Sequence, residues 1–123
     1  MVIDGIFIPY DNSLKVGIIH VEHDPSIFLP SVRELIDCEL LEFISLTSML
    51  GHEKCLIIDD SGKLKDDLES TINTRATLYF QLLTGSLDVI AGNAIIFGRS
   101  DPDLISVPDI NYYVDLFNSR CFR

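Results

Sequence analysis

The densest group of chemistry-bearing side chains is His20-Val21-Glu22-His23-Asp24. On a strand, alternate residues share a face, which would turn His20, Glu22 and Asp24 the same way. Imidazole nitrogens and carboxylate oxygens suit zinc, provided that further ligands come from elsewhere. His20, Glu22 and His23 are therefore the metal candidates. Their spacing, HxEH, differs from the HExxH that sets two histidines on one helical face. The polar end of an edge strand explains the same residues and is the stronger reading. No metal and no other cofactor is expected.

A second acidic group is the run DDSGKLKDDLE, residues 59–69. A calcium loop needs oxygen ligands at regular alternating positions and a distal Glu, and this run lacks that register. Lys63 and Lys65 would also compete with a cation. A solvated turn fits better, with Asp and Ser bonding local backbone groups and Gly62 supplying a positive φ. Ser61-Gly62-Lys63 lacks the rest of a phosphate loop, and neither GxSxG nor GxGxxG occurs. The three cysteines, Cys38, Cys55 and Cys121, form no CxxC pair. Cys38 and Cys55 sit in apolar surroundings and read as small buried hydrophobes. Nothing marks Cys121 as activated.

Asn73, Arg75, Gly92 and Asn93 are the candidates for ligand binding. Arg75 could clamp an anionic group through its planar fork. Gly92 inside an apolar run needs a reason. It is either close packing of a helix or backbone against it, the favoured reading, or the floor of a pocket.

The elements that must position these residues follow from periodicity and punctuation. Residues 1–9 and 14–22 read as a hairpin joined by the turn chemistry of Pro9-Tyr10-Asp11-Asn12-Ser13. Gly5 and Gly17 mark bulges or close backbone approach. Asp24-Pro25 caps and starts a helix on whose apolar face Phe28, Val32, Leu35 and Ile36 fall, and Pro30 either kinks it or begins it. Residues 40–46 and 54–59 are strands, and 63–70 is irregular. Asn73 caps a helix that Gly85 ends, with Ala76, Tyr79, Phe80 and Leu83 on its apolar face. Residues 88–97 (DVIAGNAIIF) are apolar on both faces, as a central strand would be. Ser106-Val107-Pro108-Asp109 resembles a capping box, with Ile110, Tyr113, Val114 and Phe117 as the stripe of the last helix. The order β-β-α-β-β-α-β-α predicts one α+β domain over residues 1–123, a mixed or antiparallel sheet with helices packed on one face.

Length and composition agree with one domain. A chain of 123 residues with 47% hydrophobic residues can fill a core without metal or disulfide staples. The odd cysteine count excludes a fully paired framework and suits a reducing cytoplasm. No leader-like segment is evident, and no apolar run approaches the ~20 residues of a membrane helix. The net charge of −10 repels nucleic-acid phosphates, favours solubility, and could steer basic partners.

From about residue 25 to 117 the chain resembles an uncharacterised family, domain of unknown function 3846. The resemblance lies in the order of several short pieces: SVRELID, then ELLEFISL, then LIIDDSGKL, then the Asn-x-x-Ala of Asn73 and Ala76, then DVIAGNAIIFG and a final helix. Typical members carry Leu-Asn-x-x-Ala soon after the acidic turn, whereas here residues 65–72 intervene. The resemblance implies a fold and a setting in bacteria, phages, mobile elements and some algal or viral genomes. It implies no activity and no catalytic residue. The expectation is thus a small, non-enzymatic, acidic accessory protein of the cytoplasm that acts through a protein partner, with no direct contact to nucleic acid or membrane. Two alternatives stand beside it, a nucleotide-like ligand binder and a structural subunit of a larger assembly. A homo-oligomer is compatible with all three.

Overall fold

The computed structural model describes residues 1–47, 53–61, 71–100 and 103–122. Among these residues six strands and three helices follow in the order β1 (Val2–Ile8), β2 (Gly17–Glu22), α1 (Pro25–Ile36), β3 (Leu41–Thr47), β4 (Glu53–Asp59), α2 (Thr74–Thr84), β5 (Ala94–Ser100), β6 (Asp103–Ile105) and α3 (Ile110–Asn118). A short 3-10 turn, Arg120–Phe122, follows α3. The sheet runs β2-β1-β5-β4-β3, with β6 pairing β5. Every pairing is antiparallel. The α+β class and the element order are as expected, with the short strand β6 added. The irregular stretch expected at 63–70 and the turn glycine Gly62 lie outside the described residues.

Alternation along the strands splits the core in two. Ile3, Cys55, Ile57, Ile95 and Phe97 point to one face and meet Phe28, Val32 and Ile36 of α1. Ile6, Ile8, Leu56, Ile58, Ala94 and Ile96 point to the other, where Ala76 and Tyr79 of α2, Phe117 of α3 and Phe122 cover them. Helices therefore lie on both faces where one was expected, because the central strands are apolar on both sides and each side needs a cover.

Helix α1 starts as predicted, with Pro25 in the first turn and the Asp24 carboxylate accepting from the Ser26 N–H at 3.0 Å. It continues through Pro30 rather than starting there. An interior proline costs roughly 3 kcal/mol, which burial of Phe28, Val32 and Ile36 offsets. Leu35 was expected on the buried face but stands 36% exposed. The capping box of α3 does not form. Asp109 takes a left-handed φ of 54° and makes no side-chain cap bond. The Ser106 hydroxyl instead accepts from the Asp4 N–H at 2.8 Å, fastening this segment to β1. The α3 stripe holds, with Phe117 buried and Ile110, Tyr113 and Val114 packed half-buried against the core.

Gly5 is a close approach, since a Cβ there would lie 2.6 Å from Cε1 of Phe97. Phe97 is fully buried and packs tilted against Phe28 with centroids 5.4 Å apart, so its ring has little room to yield. Gly5→Ala should therefore cost about 1–3 kcal/mol in urea unfolding. Gly17→Ala, where a Cβ meets nothing within 4 Å, should be near neutral. Equal losses at both positions would show that strand conformation, not the Phe97 contact, selects glycine.

Candidate functional site

The segment expected as one central strand over 88–97 has two parts. Strand β5 begins only at Ala94, and Ala91 makes an isolated antiparallel bridge to Ile72. Between them Gly92 has φ +82°, a conformation that breaks the extended run and favours glycine. Close packing does not explain this glycine, because a Cβ there would meet nothing within 4 Å. Its Cα faces open space.

That space is a cavity of about 160 Å³ lined by Tyr10, Ile36, Asp37, Asp59, Thr71, Gly92 and Asn93. Five segments converge on it. Gly92 is set by its N–H, which donates to the Thr71 carbonyl at 2.7 Å. The Asn93 side-chain oxygen accepts from the Tyr10 N–H at 3.1 Å and ties the β1–β2 loop to the rim. Asp37 ends α1 in a left-handed conformation, φ 64°, with its N–H donating to the Arg33 carbonyl. Asp59 closes β4, buried, its carboxylate accepting from the N–H of Ser61 at 3.0 Å and its hydroxyl at 3.1 Å. That is the local turn chemistry expected of the acidic run.

The four predicted ligand residues separate into two roles. Gly92 and Asn93 line the cavity. Asn73 lies behind it, fully buried, as the cap of α2. Its side-chain oxygen accepts from the Ala76 N–H at 3.0 Å, and its amide nitrogen donates to the carbonyls of Ile8 at 2.8 Å and Gly92 at 2.9 Å. Arg75 is 1% exposed, and its Nη2 donates to the carbonyls of Pro9, Asp11 and Leu14. The fork expected to clamp an anion holds the β1–β2 loop instead. Three loop carbonyls accept from its Nη2, partners that the residue type alone could not reveal.

Asp37, Tyr10 and Thr71 were not singled out from the sequence. The one signal for Asp37 was its type, since Asp tolerates the left-handed region at a helix end. Asp37 and Asp59 give the described lining two carboxylates.

The metal candidates are engaged in separate local contacts. His20 Nδ1 lies 2.5 Å from the Asp4 carboxylate, and Glu22 pairs at 2.6 Å with the Met1 amino group. The His23 N–H donates to the Met1 carbonyl, prolonging the ladder. Among the described residues no three His, Cys, Asp or Glu side chains are grouped to hold a metal. Likewise, no described helix is long and apolar enough to cross a membrane.

Lys54 was not anticipated as a buried residue. It is 2% exposed, donates to the Tyr113 hydroxyl at 3.1 Å and lies 4.3 Å from the centroid of that ring. This contact fastens α3 to β4. Cys38 is half-buried, Cys55 buried and Cys121 exposed. Burial pushes the Cys55 thiol up to about 11. Iodoacetamide at pH 8 should therefore label Cys121 first and Cys55 only on unfolding, followed by mass spectrometry. Early labelling of Cys55 would refute the burial-based assignment.

A family model described as Domain of unknown function (DUF3846) matches residues 6–118. The match begins near the end of β1 and takes in β2 as well as the stretch that carried the resemblance. No curated protein and no solved structure matches the chain. The ordered pieces, from the helix SVRELID to the final amphipathic helix, sit in one continuous sheet-and-helix framework, and the chain belongs to this family of unknown function.

Proposed function

We propose that this is a small, acidic, non-enzymatic binding protein that works through protein contacts. The observation that carries the reading is the unequal cover of the two sheet faces. One face is covered by α2, α3 and the terminal 3-10 turn. Among the described residues the other carries one helix, α1, and apolar side chains stand exposed along its flanks: Ile27 49%, Leu29 36%, Leu35 36% and Phe43 45%. Ile27 and Leu35 line one groove and Leu29 and Phe43 another, and such exposed apolar groups on a chain of net charge −10 support a protein-contact surface. A cytoplasmic setting, and an origin among phage, viral or mobile-element accessory proteins, complete the proposal on the cysteine pattern and the family resemblance. The test is affinity capture from lysate with wild type and a Leu29→Glu/Phe43→Glu double variant. Partners held by wild type and lost from the variant are the expected result. The same proteins recovered with both would overturn it.

A second reading rests on the cavity at Gly92. Its volume of about 160 Å³ is small, below the ~300 Å³ at which drug-sized ligand sites begin. Its two carboxylates suit a compact cationic or hydroxylated molecule better than a nucleotide. Thermal-shift screening separates the cases, because a ligand of the native state raises the melting temperature. A flat response to polyamines and aminosugars would remove this reading.

A further inference from the structure

Strand β2 ends the sheet, and its free side can be read from the hydrogen-bond pattern. The His23 N–H donates to the Met1 carbonyl at 2.8 Å, so residues 1 and 23 form a hydrogen-bonded pair. Such pairs alternate in an antiparallel ladder. With the register Ile3–Val21 and Gly5–Ile19, those pairs are also hydrogen-bonded, and Asp4–His20 is not. The close approach of the Asp4 and His20 side chains fits a non-hydrogen-bonded pair, where side chains lie nearer. It follows that the N–H and C=O groups of Ile18, His20 and Glu22 point away from the sheet. Among the described residues they make no hydrogen bond. The strand GIIHVE carries neither proline nor lysine, two devices that keep edge strands from pairing.

A groove of about 600 Å³ runs beside this edge. Its β2 wall includes His20 and Glu22, and its α1 wall presents Ile27, Ser31, Glu34 and Leu35. On a helix these four fall on one side, at steps of three, four, seven and eight residues. Ile27 and Leu35 are apolar and exposed. Glu34 is exposed and forms no ion pair among the described residues, whereas Glu22 already holds the Met1 amino group.

We infer that this groove takes an extended segment of a partner protein, which adds as a further strand to β2 and carries alternating apolar and basic side chains. The segment's main chain would bond the outward groups of Ile18, His20 and Glu22. Its apolar side chains on the α1 side would rest on Ile27 and Leu35, and a Lys or Arg would meet Glu34. Main-chain pairing gives affinity in this mode and alternate side chains give specificity. Charge selects the partner, since the chain as a whole carries −10. This inference rests on the protein-contact reading and narrows it to one edge and one partner chemistry.

The probe is a random linear dodecapeptide display library selected on the native protein, with the selected peptides then synthesised. Selected peptides should be enriched in Lys or Arg alternating with Val, Ile or Leu. In NMR titrations of wild type they should shift the amides of residues 18–22. Glu34→Lys, on the exposed helix surface, should weaken them about fivefold or more. His20→Pro removes one outward N–H while sparing the β1 ladder, as proline is tolerated at an outward edge position, and should weaken them about five- to tenfold. His20→Thr controls for the lost imidazole and should bind like wild type. Peptides insensitive to Glu34→Lys and His20→Pro but abolished by Phe43→Glu would overturn the edge assignment and leave the protein-contact reading standing. A dimer in sedimentation that His20→Pro disperses would overturn it in favour of pairing between copies of this chain. A library that yields no binder, with no partner captured from lysate, would defeat both the inference and the reading beneath it.

Discussion

Asn73→Ala should be among the most damaging substitutions in this chain, lowering stability by about 3–5 kcal/mol. One side chain does three jobs in a fully buried position. It caps α2 through the Ala76 N–H, and it satisfies the carbonyls of Ile8 at the end of β1 and Gly92 at the cavity rim. Loss of the cap alone costs about 1 kcal/mol. Each buried carbonyl left without a donor adds about 1–3 kcal/mol, less than additively because the three bonds share one residue. For a domain of this size the melting temperature should fall by roughly 10–20 °C. Asn73→Asp separates the jobs. It keeps the cap acceptor but sets a carboxylate against two carbonyl oxygens, so it should be at least as damaging at neutral pH. The burden lies on the charged form, which raises the folded-state pKa of the new carboxyl. Stability should therefore recover as pH falls through that raised value and a proton becomes available to donate. An Asn73→Asp protein as stable as wild type at pH 7 would show that the amide nitrogen does not face those carbonyls.

The same residue shows how far the sequence could be read. Asn73 before an apolar helical stripe and Gly85 after it signal a helix, and both caps form, with the Asn73 side chain on Ala76 and Gly85 left-handed at φ 72°. Asp24-Pro25 was equally legible. These signals are local, carried by one residue type at one position. The amide nitrogen of Asn73 bonds residues 65 and 19 positions away, and nothing in a local pattern specifies such partners. The capping box at residues 106–109 failed for the same reason. Ser106 had a local role open to it but serves Asp4, 102 positions away. Lys54 reads as the polar start of a strand and is instead enclosed by Tyr113 of α3. The acidic turn was read correctly at Asp59 and Ser61, yet its membership of the cavity depends on α1 ending beside it at Asp37. Periodicity places apolar faces, but it does not say which face of a sheet each helix will cover. That choice follows from the sheet order, which sets α1 against one face and α2 and α3 against the other.

Arg75 carries the second large expectation, and its value lies in where the damage appears. The guanidinium is 1% exposed and bonds three carbonyls of the β1–β2 loop, at 3.1 Å to Pro9, 3.3 Å to Asp11 and 2.8 Å to Leu14. Hydrogen bonds from a charged donor contribute about 1.5–3 kcal/mol each when the partner is buried, but the guanidinium also loses its hydration, which offsets much of that. Arg75→Met relieves the buried charge but takes this donor from the three carbonyls, of which that of Pro9 is buried, so a net loss of about 2–4 kcal/mol is expected. Arg75→Lys keeps a charge, but its ammonium ends one bond short of the Nη2 position from which all three carbonyls are met, and it gives up hydration less readily than a guanidinium. It should be no better than methionine. Amide exchange decides between a local and a global role. Amides of residues 10–16 should exchange faster in both variants, while those of β4 and β5, paired over Lys54–Gly98 to Ile57–Ile95, keep their protection. The Asp11 carboxyl provides an independent check. The Ser13 hydroxyl and amide hold it below the usual range, with the Arg75 charge a smaller influence. Its pKa should therefore rise only slightly in Arg75→Met as long as the loop keeps its turn. A rise to the ordinary aspartate value would mean that the Ser13 turn collapses without the arginine, and that one buried side chain sets both the shape of the β1–β2 loop and the position of Tyr10 over the cavity.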